Sequence, residues 1–489
     1  MSYQLLTGAT GLLGRYLLRD LLRSDRRVAV LVRPGRSESA RQRVEPLLSH
    51  WERETGETLP RPVVLAGDLT RPDLALSPEA FRWIARHCRG VVHNAASLTF
   101  HSAGRDAEPW RSNVGGTRHV LELCRRAGIR QLHYVSTAYV CGLRDGTVFE
   151  SELDVGQELG NDYERSKLEA EVMVRQADFL DPPTIYRPAI IVGDSATGYT
   201  STFHGFYSMV RLAHTLVRRM VLGSTGSQLV VRALSLLGHE RKNFVPVDWV
   251  SAVLTHLFER PEHHGRTYHL TARQATSISE WAGVIQEAVE RYSKLAEPAD
   301  PAACDTQWFE AMFRAESAVY RTYWRDDPVF DVTNTAAAAP HLPCPVVDRE
   351  MLMRMARFAI QSNFGKPRRG VLPPAFDAHS HLRGLAALPG AGESAEVDAV
   401  GLGLQVNGPG GGQWKLLVRD GRLLGVEDGL SPQRGAVWRL SSRTFQQLAA
   451  GQLSVRQAVC QGQVVIEGNG LPQAALEAVL QDAVAPRVA

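Results

Sequence analysis

Tyr163-Glu164-Arg165-Ser166-Lys167 sets a phenol and an ammonium four residues apart. On a helix that spacing puts both on one face. Such a pair suits reduction of a carbonyl: hydride arriving at the carbon leaves charge on the oxygen, and a proton donor has to stand beside it. Free tyrosine, with a pKa of about 10, transfers its proton poorly at neutral pH, and a lysine close by favours the phenolate and lowers that value. The pattern alone is also what an ordinary helix face produces. Its setting adds weight, because Tyr134-Val135-Ser136-Thr137-Ala138-Tyr139 precedes it by a short interval as a strand-like run ending in hydroxyls. Thr137 is placed to donate to the same carbonyl oxygen.

The hydride has to come from a bound cofactor, and the start of the chain offers a place for one. Thr7-Gly8-Ala9-Thr10-Gly11-Leu12-Leu13-Gly14 follows a strand-like run and opens a helical pattern. Gly8 permits a tight turn, Gly11 lets the backbone approach a pyrophosphate, and Gly14 permits close helix–strand packing, while the helix N-terminus supplies amides. The second run ends at Arg33, followed by Pro34-Gly35-Arg36. An acid there would accept the ribose 2′-hydroxyl of NAD. Arg33 with Arg36 instead favours the 2′-phosphate of NADPH, the plainer alternative being two solvated loop arginines. Gly67-Asp68-Leu69 and Asn94-Ala95-Ala96 close the third and fourth runs; Asp68 can accept from the adenine amine, and the small residues after Asn94 let the cofactor pass close to the backbone.

These groups need a frame that collects them at one edge. From Tyr3 to about Val192, strand-length apolar runs (YQLLTG, RVAVLVR, RPVVLAGD, GVVHNAA, QLHYVST, TIYRPAIIVG) alternate with helical patterns at Arg15–Arg23, Pro78–His87, Thr117–Arg126 and Tyr163–Gln176. That rhythm predicts an α/β fold with a doubly wound parallel sheet, in which ligands bind at the carboxyl ends of the strands. Further helical patterns at Phe203–Val221, Ser279–Leu295, Thr306–Tyr323 and Asp348–Phe364 would cap the open end and line a substrate site. The expected division is a nucleotide-binding core over 1–270, a helical region over 271–365, a Pro- and Gly-rich linker over 366–396 and a small α+β domain over 397–489.

In order, TGATGLLG, NAA, NVGGT, YERSK, YRPAIIVG and NFVPVDWVS resemble the extended short-chain dehydrogenase/reductases from Thr7 to about Val250. Within that family, GDLTRPDLALS, HNAASLTF and VSTAYV are similar to the fatty acyl-CoA reductase and thioester reductase branch, the male sterility group. The resemblance implies a Rossmann-type fold, catalytic roles for Thr137, Tyr163 and Lys167, and support of the site geometry by Asn113. It also implies cofactor contacts from Gly8, Gly11, Gly14, Arg33, Asp68, Lys167 and the Tyr186-Arg187-Pro188 segment. The implied reaction is NADPH-dependent reduction of a lipophilic acyl thioester to an aldehyde, with a second reduction to the alcohol left open. No acyl-activating or carrier domain precedes the reductase, so the thioester is expected from elsewhere, on coenzyme A or an acyl carrier protein. Two alternatives use the same residues differently: a dehydrogenase of a steroid, terpenoid or 3-oxo-acyl compound, and a lipid-binding protein whose reductase core is only a scaffold.

Val397–Gly468 resembles the sterol carrier protein domain, on the strands around QWKLLVRDGRL and on LSSRTFQQLAAGQLSVRQAVCQGQVVIEGN. The resemblance implies a tunnel for an apolar ligand; the plainer alternative is a stabilising or dimerising module with a filled core, which leaves a homodimer open.

Over 489 residues, Lys+Arg 55 against Asp+Glu 52 gives a net charge of +3, with 44% hydrophobic and 22% charged residues. This is globular composition with no concentrated basic face for nucleic acid. The 6 cysteines lack paired spacing, so neither a disulfide framework nor a metal site is expected. Asp377-Ala378-His379-Ser380-His381 is read as a solvated loop rather than a metal site. The aromatic and basic stripe Phe203–Val221 is a candidate for contact with a membrane surface, although such stripes are more often core. With no signal peptide ahead of Tyr3 and no apolar run of about 18 residues, a cytoplasmic, reducing location is expected.

Overall fold

The computed structural model describes residues 2–24, 26–35, 38–217, 231–232, 236–293, 313–315, 317–365, 377–386, 400–407, 410–419, 422–430, 436–461 and 463–467. The chain forms two compact units, one of residues 1–34 and 58–367, the other of residues 35–57 and 368–489.

In the first unit β1 (Tyr3–Thr7), β2 (Val28–Val32), β3 (Val63–Ala66), β4 (Cys88–His93) and β5 (Gln131–Val135) join the strands Thr184–Pro188 and Thr267–Leu270. They make one seven-stranded sheet in the order Thr267–Leu270, Thr184–Pro188, β5, β4, β1, β2, β3. Every pairing in it is parallel. This is the expected Rossmann-type architecture. The order reverses between β1 and β4, so a crevice opens beside the carboxyl end of β1. All of β2 is buried, which is why it reads as the unbroken apolar run Val-Ala-Val-Leu-Val.

The helices follow the apolar period. α1 (Leu12–Arg23) buries Leu13, Tyr16, Leu17, Leu18, Leu21 and Leu22, while Arg23 is exposed and Arg15 and Arg19 are partly buried. α3 (Pro78–His87) starts on a Ser77 cap with Pro78 in its first turn. α4 spans Gly116–Ala127, and α5 (Asp162–Arg175) starts on Asn161, whose side chain accepts from the Glu164 amide at 3.0 Å. Helices Phe206–Val217, Ile278–Tyr292 and Arg349–Gln361 pack into one apolar cluster with Trp281, Met355 and Phe364. Phe206, Tyr207, Met209, Val210 and Ala213 are buried there, so the stripe considered for membrane contact is core over its described part. Arg218, Arg219 and, within the expected helix Thr306–Tyr323, residues 306–312 and 316 lie outside the described residues.

Two strand readings change. Thr267–Leu270 is a seventh strand that the sequence reading missed, and TIYRPAIIVG is two strands, Thr184–Pro188 in the main sheet and Ile190–Val192 paired with Phe244–Pro246.

The second unit holds α2 (Ala40–Thr55) and a mixed sheet of Arg422–Asp428, Gly412–Arg419, Val400–Asn407, Val437–Ser441 and Val464–Glu467, in that order. Part of the expected linker is structured. Residues Ala378–Ala386 form a helix, with Asp377 accepting from the Ser380 hydroxyl at 2.6 Å and Ala378 and Leu382 buried in the unit's core. The Asp377–His381 segment is therefore a helix start rather than a loop. Trp414 donates to His379 Nδ1 at 2.8 Å. Among the described residues no group of three or more metal-ligating side chains could hold a metal ion, and no helix is long and apolar enough to cross a membrane.

Candidate active site

The turn after β1 is shaped by two steric constraints. Gly8 has φ +74, and a Cβ on it would meet Ala95 Cα and N at 2.7 Å; a Cβ on Gly14 would lie 2.0 Å from the Gly8 carbonyl oxygen. Backbone blocks both positions, so β1, the turn and α1 can pack this closely only with glycine. At Gly11 the nearest atom is 3.4 Å away, leaving that face of the turn open. Gly11 begins α1 without a side-chain cap, and no acid occupies the first turn. The free amides of Leu12 and Leu13 and the helix dipole suit an anion, so the residues present fit the pyrophosphate of a dinucleotide. Thr10 belongs to this turn, and its carbonyl accepts from Arg15 at 3.1 Å. Asn94 Nδ2 donates to the Gly8 carbonyl at 3.3 Å and the Ala95 amide to Thr7 Oγ1 at 3.2 Å, which fixes the Asn94-Ala95-Ala96 segment against the turn.

Arg33, just after β2, is exposed and contributes to holding the Asp68 carboxyl below its ordinary value. Asp68 Oδ1 accepts from the Thr70 amide at 2.9 Å and the Thr70 hydroxyl at 2.8 Å, so that oxygen shapes its own loop. The Leu69 carbonyl faces His119 Nδ1 at 2.8 Å. Arg36 lies outside the described residues.

Thr137 follows β5, Tyr163 stands in the first turn of α5, and the Thr137 hydroxyl lies against the Tyr163 phenol. Burial pushes that phenol up to about 12; Thr137 pulls it down, and the Glu164 carboxylate pushes it further up. Asn113 ties the neighbouring segments together. Its Nδ2 donates to the Ser97 carbonyl at 3.1 Å and to Ser166 Oγ at 2.9 Å, its Oδ1 accepts from the Ser97 amide at 2.8 Å, and Ser166 in turn donates to the Tyr163 carbonyl at 2.8 Å.

Lys167 stands differently from the sequence reading. It is 1% exposed and donates to Tyr134 OH at 2.8 Å and to the Val135 carbonyl at 2.7 Å. Its ammonium turns to the end of β5 and not to the Tyr163 phenol, so the expected acidification of Tyr163 does not come through a direct bond in this structure. A buried ammonium must have acceptors, and it finds them at the end of β5. Burial also pulls Lys167 down to about 7, partly offset by Glu171.

Tyr186 and Arg187 also need correction as cofactor contacts through their side chains. Tyr186 is wholly buried with its hydroxyl 2.9 Å from His133 Nδ1. Arg187 pairs with Glu171 at 2.7 Å, the two being 1% and 0% exposed. Alternating side chains along this central strand leave them inside, whereas the Pro188 carbonyl at its end faces Thr137 Oγ1 at 3.5 Å. Arg187→Met should cost about 2 kcal/mol by removing the buried partner of Glu171, which is left with Arg175 at 2.8 Å. Arg187 holds Glu171 below the ordinary carboxylate range, so this contribution is present above that range and fades as the pH falls through it. Urea midpoints of the two proteins should differ most near neutrality and converge on acidification; a gap that does not change with pH would contradict the assignment.

Sequence reasoning missed the aromatic wall beside the phenol. Phe100 packs edge-on to Tyr163 with centroids 6.0 Å apart, and Tyr320 and Tyr323 each lie 5.4 Å from Phe100. Phe100 ends HNAASLTF, but its nearness to a helix start more than sixty residues on had no local signal.

The family model described as male sterility protein matches residues 6–254. An aldehyde reductase, lnaA, of Aspergillus flavus is 28% identical over 72% of this chain and 35% of its own length. A linear gramicidin synthase of Brevibacillus parabrevis is 30% identical over 58% of this chain and 5% of its own. The chain thus spans about a third or less of these curated relatives. Among solved structures, the terminal R domain from the myxalamid PKS-NRPS biosynthetic pathway superposes with a TM-score of 0.59 at 27% identity, covering 74% of this chain and 92% of that one.

Proposed function

The chain belongs to the male sterility protein family of Rossmann-type, NAD(P)-binding reductases, and from that premise we propose that it reduces a lipophilic acyl thioester to the aldehyde with NADPH. The observation that carries this reading is the protonated Tyr163 phenol beside the Thr137 hydroxyl at the carboxyl edge of the sheet, next to an uncapped glycine turn. When bound, the dinucleotide supplies the hydride. The α1 amides and the Gly8–Gly14 turn hold its pyrophosphate, and Asn94-Ala95-Ala96 gives it room.

Thr137 and Tyr163 both donate to the thioester oxygen as charge develops on it. Tyr163 then gives up its proton to that oxygen. The neutral hemithioacetal collapses, its C–S bond breaking to leave an aldehyde and a thiol. The names of the similar proteins, an aldehyde reductase, a linear gramicidin synthase and a terminal R domain of a PKS-NRPS pathway, support a thioester carried on a larger assembly or on coenzyme A. The phenol's aromatic neighbours Phe100, Tyr320 and Tyr323 support an apolar acyl group.

Arg33 is the basis for NADPH over NADH. Arg33→Asp should weaken NADPH by about tenfold while changing NADH by less than about twofold, the loss of one charged phosphate contact. Fluorescence titration with both cofactors checks it, and an unchanged ratio of affinities would remove the argument.

For the second unit the proposed role is to receive an apolar acyl ligand. Its support is an apolar core containing two buried polar atoms without hydrogen-bond partners, Trp438 Nε1 and His381 Nε2. Calorimetric titration with palmitate tests this, and absence of binding would leave the unit a packed module.

A further inference from the structure

Lys167 does not sit on an isolated acceptor. The ring of Tyr134, whose hydroxyl receives it, lies 5.6 Å from that of His93, and His93 belongs to a buried set of bonds: Nε2 lies 3.1 Å from Thr117 Oγ1, Thr117 donates to the Asn113 carbonyl at 2.6 Å, and Nδ1 lies 2.8 Å from Thr7 Oγ1. Every residue in this chain is buried: Thr7 0%, His93 1%, Thr117 1%, Tyr134 1% and Lys167 1% exposed.

The directions of these bonds follow from counting protons. An ammonium can only donate, so the Tyr134 oxygen accepts from Lys167. The single Thr117 hydrogen is spent on the Asn113 carbonyl, so Thr117 accepts from His93. His93 therefore carries its proton on Nε2, and Nδ1 accepts from Thr7, which accepts in turn from the Ala95 amide. Burial holds His93 down to about 3, so the ring is neutral and this one tautomer persists. The Tyr134 oxygen is the side-chain acceptor that Lys167 finds at the end of β5.

We infer that Tyr134 is a positioning residue, its hydroxyl holding the Lys167 ammonium in its charged form at the end of β5. This rests on the proposed function, with Lys167 as the lysine that serves the bound cofactor. A second acceptor, the Val135 carbonyl, is backbone and cannot be tuned by substitution, so Tyr134 is the adjustable part. The ring also lies under the ammonium, 4.3 Å from centroid to Nζ, and a phenylalanine would keep that contact.

Tyr134→Phe removes one oxygen atom and leaves the packing of β5 in place. Deprived of an acceptor, the charged lysine becomes less favourable, so the alkaline limb of the kcat/KM profile with NADPH and an acyl thioester should move down by about one pH unit. Activity at pH 8 should fall about tenfold, and at pH 6 by less than about threefold. The alkaline weakening of NADPH binding, followed by fluorescence, should move by the same amount. A purely structural role would lower the melting temperature and leave both limbs where they were, and that result would overturn the inference. Tyr134→Gln, which offers Lys167 another acceptor, should move the limbs less than Tyr134→Leu, which offers none. If Tyr134→Phe proves insoluble, that Gln/Leu contrast decides, and equal profiles would refute the proposal. A wild-type protein that binds NADPH but turns over no thioester defeats the proposed reaction alone, since the binding limb still reports on Tyr134.

Discussion

Tyr163→Phe is expected to lower kcat for thioester reduction by about a thousandfold, within the range measured for loss of a positioned general acid. The affinity for NADPH should stay within about twofold, because the phenol stands at the start of α5 while the pyrophosphate cradle is built from Gly8 to Gly14. The size of the effect follows from what remains. Thr137 still donates to the developing oxyanion, but it cannot deliver a proton at comparable rate. The edge-on contact with Phe100 survives the change, so the fold has no reason to respond. Steady-state rates and a fluorescence titration decide it: activity retained within tenfold would remove Tyr163 from the mechanism, and lost NADPH binding would recast it as a cofactor contact.

The second large effect is expected at Gly14. A methyl group there would lie 2.0 Å from the Gly8 oxygen and 2.9 Å from Ala9 Cα, and all of the obstructing atoms are backbone. Gly14→Ala therefore has to push α1 away from the turn, a cost of about 3 kcal/mol or more by analogy with overpacked cores. The amides at the helix start would move with it, and NADPH affinity should fall by at least about tenfold. Gly11→Ala gives the contrast. Its nearest neighbour is 3.4 Å away, so the variant should keep its melting temperature while losing affinity wherever the pyrophosphate approaches that open face. Equal melting temperatures for wild type and Gly14→Ala would contradict the steric account.

Much of this frame can be read from residue order. α3 begins and ends where Pro78 and His87 suggest, because Ser77 and Pro78 mark its start chemically. β1, β2, β4 and β5 lie in the expected apolar runs, and the chemistry-bearing residues fall at their carboxyl ends. The short strand Thr267–Leu270 carries too little pattern to separate it from a loop; pairing with Thr184–Pro188, not local preference, makes it a strand. α2 encloses Pro46, which breaks the helical signal, and the helix Ala378–Ala386 hides in a Pro- and Gly-rich stretch until its apolar residues find the core of the second unit.

At the site, spacing places Tyr163 and Lys167 on one helix but says nothing about where a long, flexible lysine side chain ends. That depends on acceptors from β5, thirty residues earlier in sequence. Arg187 misleads for a related reason: in sequence it borders the site, and in the sheet its side chain turns inward to Glu171. His93 and Tyr134 did carry a signal, polar atoms inside otherwise apolar strands, which in a buried sheet have to be satisfied by something.

The central claim is hydride delivery to a thioester carbon under the Tyr163 proton, and one measurement reaches it directly. Wild-type protein incubated with deuterated NADPH and a long-chain acyl-coenzyme A, with products read by mass spectrometry, should yield free coenzyme A and an aldehyde carrying one deuterium at its carbonyl carbon, or an alcohol carrying two. Release of coenzyme A with an unlabelled carboxylic acid, or recovery of intact thioester with no deuterium transferred, would contradict the account.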